Sequence, residues 1–128
     1  MSVVTLAEIS FGRMLFESST GQASPRLQAI VEEVNRHAVL DVTRHTAHEY
    51  AVLKTALATM YLAKVLRRDR PRWLENWVDK STGQTLQVDE NDLWMCAQAR
   101  ERNLVLVTAD ARMDRIAKAD AAVRLLVI

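Results

Sequence analysis

The sequence predicts an α/β fold in which a short, mostly parallel sheet is sandwiched between helices. Three observations predict it. Short apolar runs at 2–5, 38–42, 104–108 and 123–128 alternate with helical stretches, and strands separated by helices argue for parallel pairing. Leu104-Val105-Leu106-Val107-Thr108 is an unbroken apolar run, the pattern of a strand buried on both faces. Three Gly and two Pro in 128 residues leave little material for the turn-rich loops of a sandwich. The length suits one domain, and a composition of 49% apolar and 26% charged residues suits a core built without disulfides or a structural metal. No internal repeat, low-complexity segment or second domain interrupts residues 1–128.

Each element has a local cause. Ser2 to Thr5 read as a very short strand or the end of one. Thr5 with Glu8 has capping-box spacing, predicting a helix to about Glu17 with Leu6, Ile9 and Met14 inward. Ser24-Pro25 opens a second helix as cap and first-turn proline, with Leu27, Ile30, Val31 and Val34 as one stripe. Ala38–Val42 reads as a strand. Thr43 to Thr46 cap a long helix to about Leu66, with Tyr50, Leu53, Leu57, Met60 and Tyr61 on one face. Pro71 starts a short helix carrying Trp73 and Trp77 one turn apart. Asp89 or Asn91 caps a helix ending near Asn103. After the 104–108 strand, a helix around Ala111–Lys118 leads to a last strand at 123–128.

Composition excludes several classes. Seventeen basic and sixteen acidic residues give a net charge of +1, so no global nucleic-acid signature exists, only local clusters. No apolar run is long enough to span a membrane, and residues 1–5 carry no secretory signal pattern. A single cysteine, Cys96, rules out an intrachain disulfide and a CxxC metal site and points to a reducing cytoplasm. No Ser-His-Asp constellation, GxSxG or glycine-rich phosphate loop is present.

The carboxylates carry the chemistry. Glu8 sits early in a helix after a strand, Asp92 in the first turn of the 91–102 helix, and Asp110 two residues after the 104–108 strand. Ligands of open parallel sheets bind beyond the carboxyl ends of the strands. Three carboxylates converging there require a cation, and hard oxygen donors favour Mg²⁺ or Mn²⁺. Such a site suits phosphodiester hydrolysis. The bland alternative is that each acid is a helix-end or turn residue.

Three strings point further. Thr5-Leu6-Ala7-Glu8-Ile9-Ser10-Phe11-Gly12, Asn91-Asp92-Leu93-Trp94-Met95-Cys96-Ala97-Gln98-Ala99 and Asn103-Leu104-Val105-Leu106-Val107-Thr108-Ala109-Asp110 resemble, in order, three segments of the PIN-domain family as seen in VapC-type toxins. The resemblance implies a Rossmann-like α/β/α domain and a metal-dependent endoribonuclease, often a homodimer, often a toxin held by an antitoxin protein. It implies that Glu8, Asp92 and Asp110 are metal-site acids and that Thr108 stands beside the site to orient a water. Such domains normally begin with a central strand bearing a further Asp, which residues 1–128 do not contain. The expectation is therefore an N-terminally incomplete domain, with residues 2–5 and 104–108 drawn together or the gap filled at a dimer interface. A start codon assigned too late is the rival explanation. The alternative to an enzyme is a catalytically inactive PIN-like binding or dimerisation module.

Asp89, Asn91 and Asp114 are auxiliary candidates near Asp92 and Asp110, with capping or exposed roles as their ordinary uses. Lys64, Arg67, Arg68, Arg70 and Arg72 form the only basic cluster, either a solvated helix end or, for Lys64, Arg67 and Arg68, contacts to RNA phosphates. His45 and His48 stand three apart, with His37 upstream, but lack the partners zinc requires. Trp73, Trp77 and Trp94 are expected to pack in a core or interface, with base stacking as the minority role. Cys96 reads as a small buried apolar residue.

Overall fold

The structure, a computed structural model, describes residues 1–128. It is mixed α/β, with five helices and one short parallel sheet. The chain divides into two compact units, Met1–Val42 and Thr43–Ile128.

The first unit is a helical pair. α1 (Val3–Thr20) begins three residues earlier than the Thr5 cap predicts, because the Ser2 hydroxyl accepts from the Val4 N–H at 3.0 Å. Residues 2–5 are therefore helical apart from Ser2, whose backbone forms one parallel bridge to Leu40. The strands expected at 2–5 and 38–42 shrink to that bridge, since a strand needs a hydrogen-bonded neighbour along its length. α1 stops at Gly21, which takes φ 68° and donates its N–H to the Glu17 carbonyl at 2.9 Å, a left-handed cap that glycine adopts without steric penalty. α1 packs against α2 (Pro25–Asn35). The Ser24 hydroxyl accepts from Leu27 N–H and Pro25 occupies the first turn, as the sequence predicts. Met14, expected inward, is 57% exposed.

The second unit holds the core. α3 (Arg44–Tyr61) opens with a reciprocal box in which Thr43 and Thr46 cap each other's backbone. Both hydroxyls also donate to Glu101, at 3.1 Å and 2.5 Å. The bond from Thr46, helped by that from Thr43, holds the Glu101 carboxyl below its ordinary value against the opposing effect of burial. α3 ends at Tyr61, short of the predicted Leu66. Leu53, Leu57 and Tyr61 face the core; Met60, placed on the same face from the sequence, is exposed. α4 (Glu90–Glu101) packs on α3 through Leu93, Cys96 and Ala97. Complete burial of a leucine side chain contributes about 1.5–3 kcal/mol, so these contacts dominate the unit.

Between α3 and α4 the chain makes two single 3₁₀ turns, Arg67–Asp69 and Leu74–Asn76, in place of the helix expected after Pro71. Trp73 and Trp77 do not share a face. Trp77 is buried and its Nε1 donates to the Pro71 carbonyl at 2.8 Å, whereas Trp73 is 52% exposed. An antiparallel bridge from Val78 to Thr85 closes a turn that returns Leu86 and Val88 to the core.

β1 (Val105–Thr108) pairs in parallel with β2 (Arg124–Val127), register Val105 to Arg124 through Thr108 to Val127. A 3₁₀ turn at Ala111–Met113 and α5 (Asp114–Ala119) form the crossover. Leu106 and Leu125 pack on the core, but Val105 and Val107 are 48% and 55% exposed. The expectation of a strand buried on both faces fails here. The sheet has only two strands, and alternate side chains of a strand point to opposite faces.

Candidate active site

Asp89 is the N-cap of α4, and its carboxylate accepts from the Asp92 N–H at 2.9 Å. Asp92 returns the bond, accepting from the Asp89 N–H at 2.9 Å. Two carboxylates are thus pinned at the N-terminal, positive end of the α4 dipole. Of the two caps open from the sequence, Asp89 takes the role; Asn91 lies one residue inside the first turn.

Asp110 follows the end of β1 and caps the Ala111–Met113 turn. One carboxylate oxygen accepts from the Arg112 N–H at 2.9 Å and from Arg112 Nε at 2.7 Å, and the other accepts from Arg112 Nη2 at 2.7 Å. The guanidinium, with the backbone N–H behind it, holds the Asp110 carboxyl below the ordinary carboxylate value. The Thr108 hydroxyl accepts from the Asp110 N–H at 3.0 Å. Its own proton remains available to a further acceptor, since a hydroxyl both accepts and donates.

Asp89, Asp92 and Asp110 line one cavity of about 270 Å³ together with Glu75, Gln87, Val88 and Arg112. Convergence of Asp92 and Asp110 is thus a feature of the structure, and Asp89 joins them. Asp114 is used elsewhere, pairing with Lys118 at 2.7 Å. Glu8 is an exposed residue of the second turn of α1, in the first unit. Glu75 and Arg112 join the cavity lining from positions that belong to no sequence motif. Glu75 arrives from a 3₁₀ turn with no local signature. Arg112 stands two residues after a turn-forming Asp, spacing that an Asx turn with an arginine reaching back would have suggested.

The donor set is chemically suited to a hard divalent ion: every charged ligand is a carboxylate oxygen. As it stands, no three His, Cys, Asp or Glu side chains are arranged to hold one, and Arg112 supplies the positive charge at Asp110.

The basic cluster divides. Arg67, Arg70 and Arg72 line a second cavity, of about 680 Å³, with Tyr50, Lys54 and Trp77. Lys64 lies in a left-handed turn after α3, at φ 68°, and Arg68 is exposed beside Asp69 at 3.7 Å; neither lines that cavity. Under it lies a network the sequence did not suggest. Glu90 accepts from Lys54 Nζ at 2.6 Å, from the Leu74 N–H at 3.0 Å, and from the Tyr50 hydroxyl. Burial opposes ionisation of Glu90, but the bonds from Lys54, Tyr50 and Leu74 outweigh it and keep the carboxyl below its ordinary value. Trp94 stacks on Tyr50 with ring centres 4.1 Å apart, a packing role. His45 and His48 are exposed on α3. Burial, with the nearby Asp92 charge, pushes the Cys96 thiol up to about 12, so it is the inert apolar residue expected.

Carboxylates gathered where a helix begins and a strand ends, in a mixed α/β unit, define an acidic α/β domain of the kind suited to phosphodiester chemistry. The family follows from comparison: the PIN domain model matches residues 1–119, and the chain belongs to the PIN domain family. PIN domains are generally nucleases, often in toxin–antitoxin systems, and generally use divalent metal ions. No curated protein and no solved structure matches the chain. No helix is long and apolar enough to cross a membrane.

Proposed function

We propose that the protein is a Mg²⁺- or Mn²⁺-dependent endoribonuclease of the VapC type. The observation that carries this reading is that Asp92 and Asp110, the acids of two separate family-like strings, line one cavity. Asp92 and Asp110 would hold the ion, with Asp89 beside them. Glu8 is assigned to the metal set on its motif alone. The ion, when bound, supplies charge neutralisation at the scissile phosphate and a more acidic water. The chain's own part is positional. The capping box at the start of α4 holds the Asp89 and Asp92 carboxylates in place, and the bond from the Asp110 N–H anchors Thr108, whose free O–H can orient a water. The resemblance further supports a cytoplasmic, homodimeric toxin controlled by an antitoxin protein.

A second reading is favoured by one observation, the forked Arg112–Asp110 pair: a catalytically inactive PIN-like binding or dimerisation module, in which arginine permanently replaces the metal. Cleavage of single-stranded RNA with Mn²⁺ or Mg²⁺, by the wild type and by Asp92→Asn and Asp110→Asn, separates the two. Asn keeps an acceptor oxygen for the caps, so the fold is retained. Metal-dependent cleavage lost in both variants supports the nuclease. No cleavage at millimolar metal, with no Mn²⁺ bound by calorimetry, leaves only the module.

A further inference from the structure

The larger cavity has an unusual charge balance. Lys54, on its wall, is paired with Glu90, a carboxylate also engaged by Tyr50 and the Leu74 N–H. The three guanidiniums on the cavity wall have no carboxylate at all. Arg70 Nε donates to the Val65 carbonyl at 3.1 Å, the Arg72 guanidinium lies 4.7 Å from the Trp73 ring centre, and the neighbouring Asp69 faces Arg68 at 3.7 Å rather than the cavity arginines. Three exposed like charges gathered around one cavity make a positive patch, and a ligand carrying several negative charges complements it. A cavity of about 680 Å³ is far larger than one phosphate requires. Arginine forks suit phosphate oxygens. The first turn of α4 joins this cavity to the acidic one: Glu90 anchors Lys54, while the Glu90 N–H donates to Glu75, which lines the acidic cavity, at 3.3 Å.

We propose that the cavity walled by Lys54, Arg67, Arg70 and Arg72 is a docking groove for successive phosphates of a single-stranded RNA, leading the strand to the acidic cavity across the α4 N-terminus. The choice of RNA rests on the ribonuclease reading above; the groove's demand for a polyanion does not.

The test is RNA binding in EDTA, where no cleavage occurs, by fluorescence anisotropy of a labelled single-stranded 12-mer over a range of salt concentrations. Each phosphate contact in single strands contributes a salt slope of about −0.7. Arg67→Gln/Arg70→Gln/Arg72→Gln is expected to flatten log K against log salt by about 2 and weaken binding at low salt, with the thermal midpoint showing the variant folded. The matching triple Lys variant keeps the charges and is expected to keep most of the slope. An unchanged slope in the Gln variant overturns the proposal, as does an equal loss in the Lys variant. A poly-Glu peptide of matched charge that binds the wild type as tightly as the RNA overturns the RNA assignment. A failure of Mn²⁺-dependent cleavage in a separate assay counts against the nuclease reading and does not alter this slope.

Discussion

The two cavities beside the first turn of α4 are built from opposite charge by different means. On the acidic side, Asp89 and Asp92 are held by reciprocal bonds to each other's backbone, and Asp110 by the next turn of the chain. All of these are local contacts, two or three residues apart. On the basic side, Lys54 and Glu90 meet across 36 residues, and the arginines arrive on a loop between helices. The acidic side is thus prepared by capping chemistry, and the basic side by tertiary packing. A single helix terminus serves both, because consecutive residues of a helix point about 100° apart. Asp89 and Asp92 line one cavity while Glu90 turns to Lys54.

Four changes would break or sharpen this contrast. The largest effect is expected at the acidic side: Asp110→Asn should lower RNA cleavage at least about a hundredfold, since metal-assisted charge stabilisation contributes several kcal/mol. Kinetics at saturating Mn²⁺ check it. Next, Glu90→Ala should destabilise the second unit by about 1–3 kcal/mol, because the Leu74 N–H loses its acceptor and Lys54 its counter-ion. The same truncation at Asp114, whose partner Lys118 is exposed, should fall within about 0.5 kcal/mol of wild type in urea titrations.

The third is pH. Glu90, Glu101 and Asp110 all have folded-state values below their ordinary ones. A depressed carboxyl stabilises the fold above its unfolded value and loses that contribution as pH falls through the folded value. Stability should therefore be level near neutrality and decline below about pH 4.5, the ordinary Glu value. A thermal midpoint that rises on acidification would contradict this. The smallest effect is Arg112→Gln. Without the guanidinium, the Asp110 carboxyl should titrate closer to its ordinary 3.8, and Mn²⁺ should bind more tightly, read from calorimetry and from Asp110 shifts in NMR titration. Unchanged Mn²⁺ binding would remove Arg112 as a competitor for the site.

Much of this was legible in the residues themselves. Ser24-Pro25, Thr43 with Thr46, and Asp89 with Asp92 mark three helix starts because a cap is satisfied within three residues. Ser2 displaced Thr5 for an equally local reason, but two hydroxyl caps lay close together and spacing alone did not rank them. The runs at 2–5 and 38–42 carry the apolar character of strands yet make only one bridge, because an apolar run says nothing about whether a partner lies alongside it. Val105 and Val107 were misplaced for the same reason: the bare apolar run resembles a central strand, yet with only β2 as neighbour half of its side chains stay exposed.

By itself, the sequence determined the strand–helix–strand order from β1 to β2, the caps of α2, α3 and α4, the leucine face of α3 and the family-like positions of Asp92 and Asp110. These depend on periodicity and on bonds that span a few residues. Only the tertiary structure decided that the sheet has two strands, that Glu75 and Arg112 join the acidic cavity, and that Lys54 and Glu90 support a basic one. Those facts depend on contacts between distant residues, where packing and charge balance choose the partner.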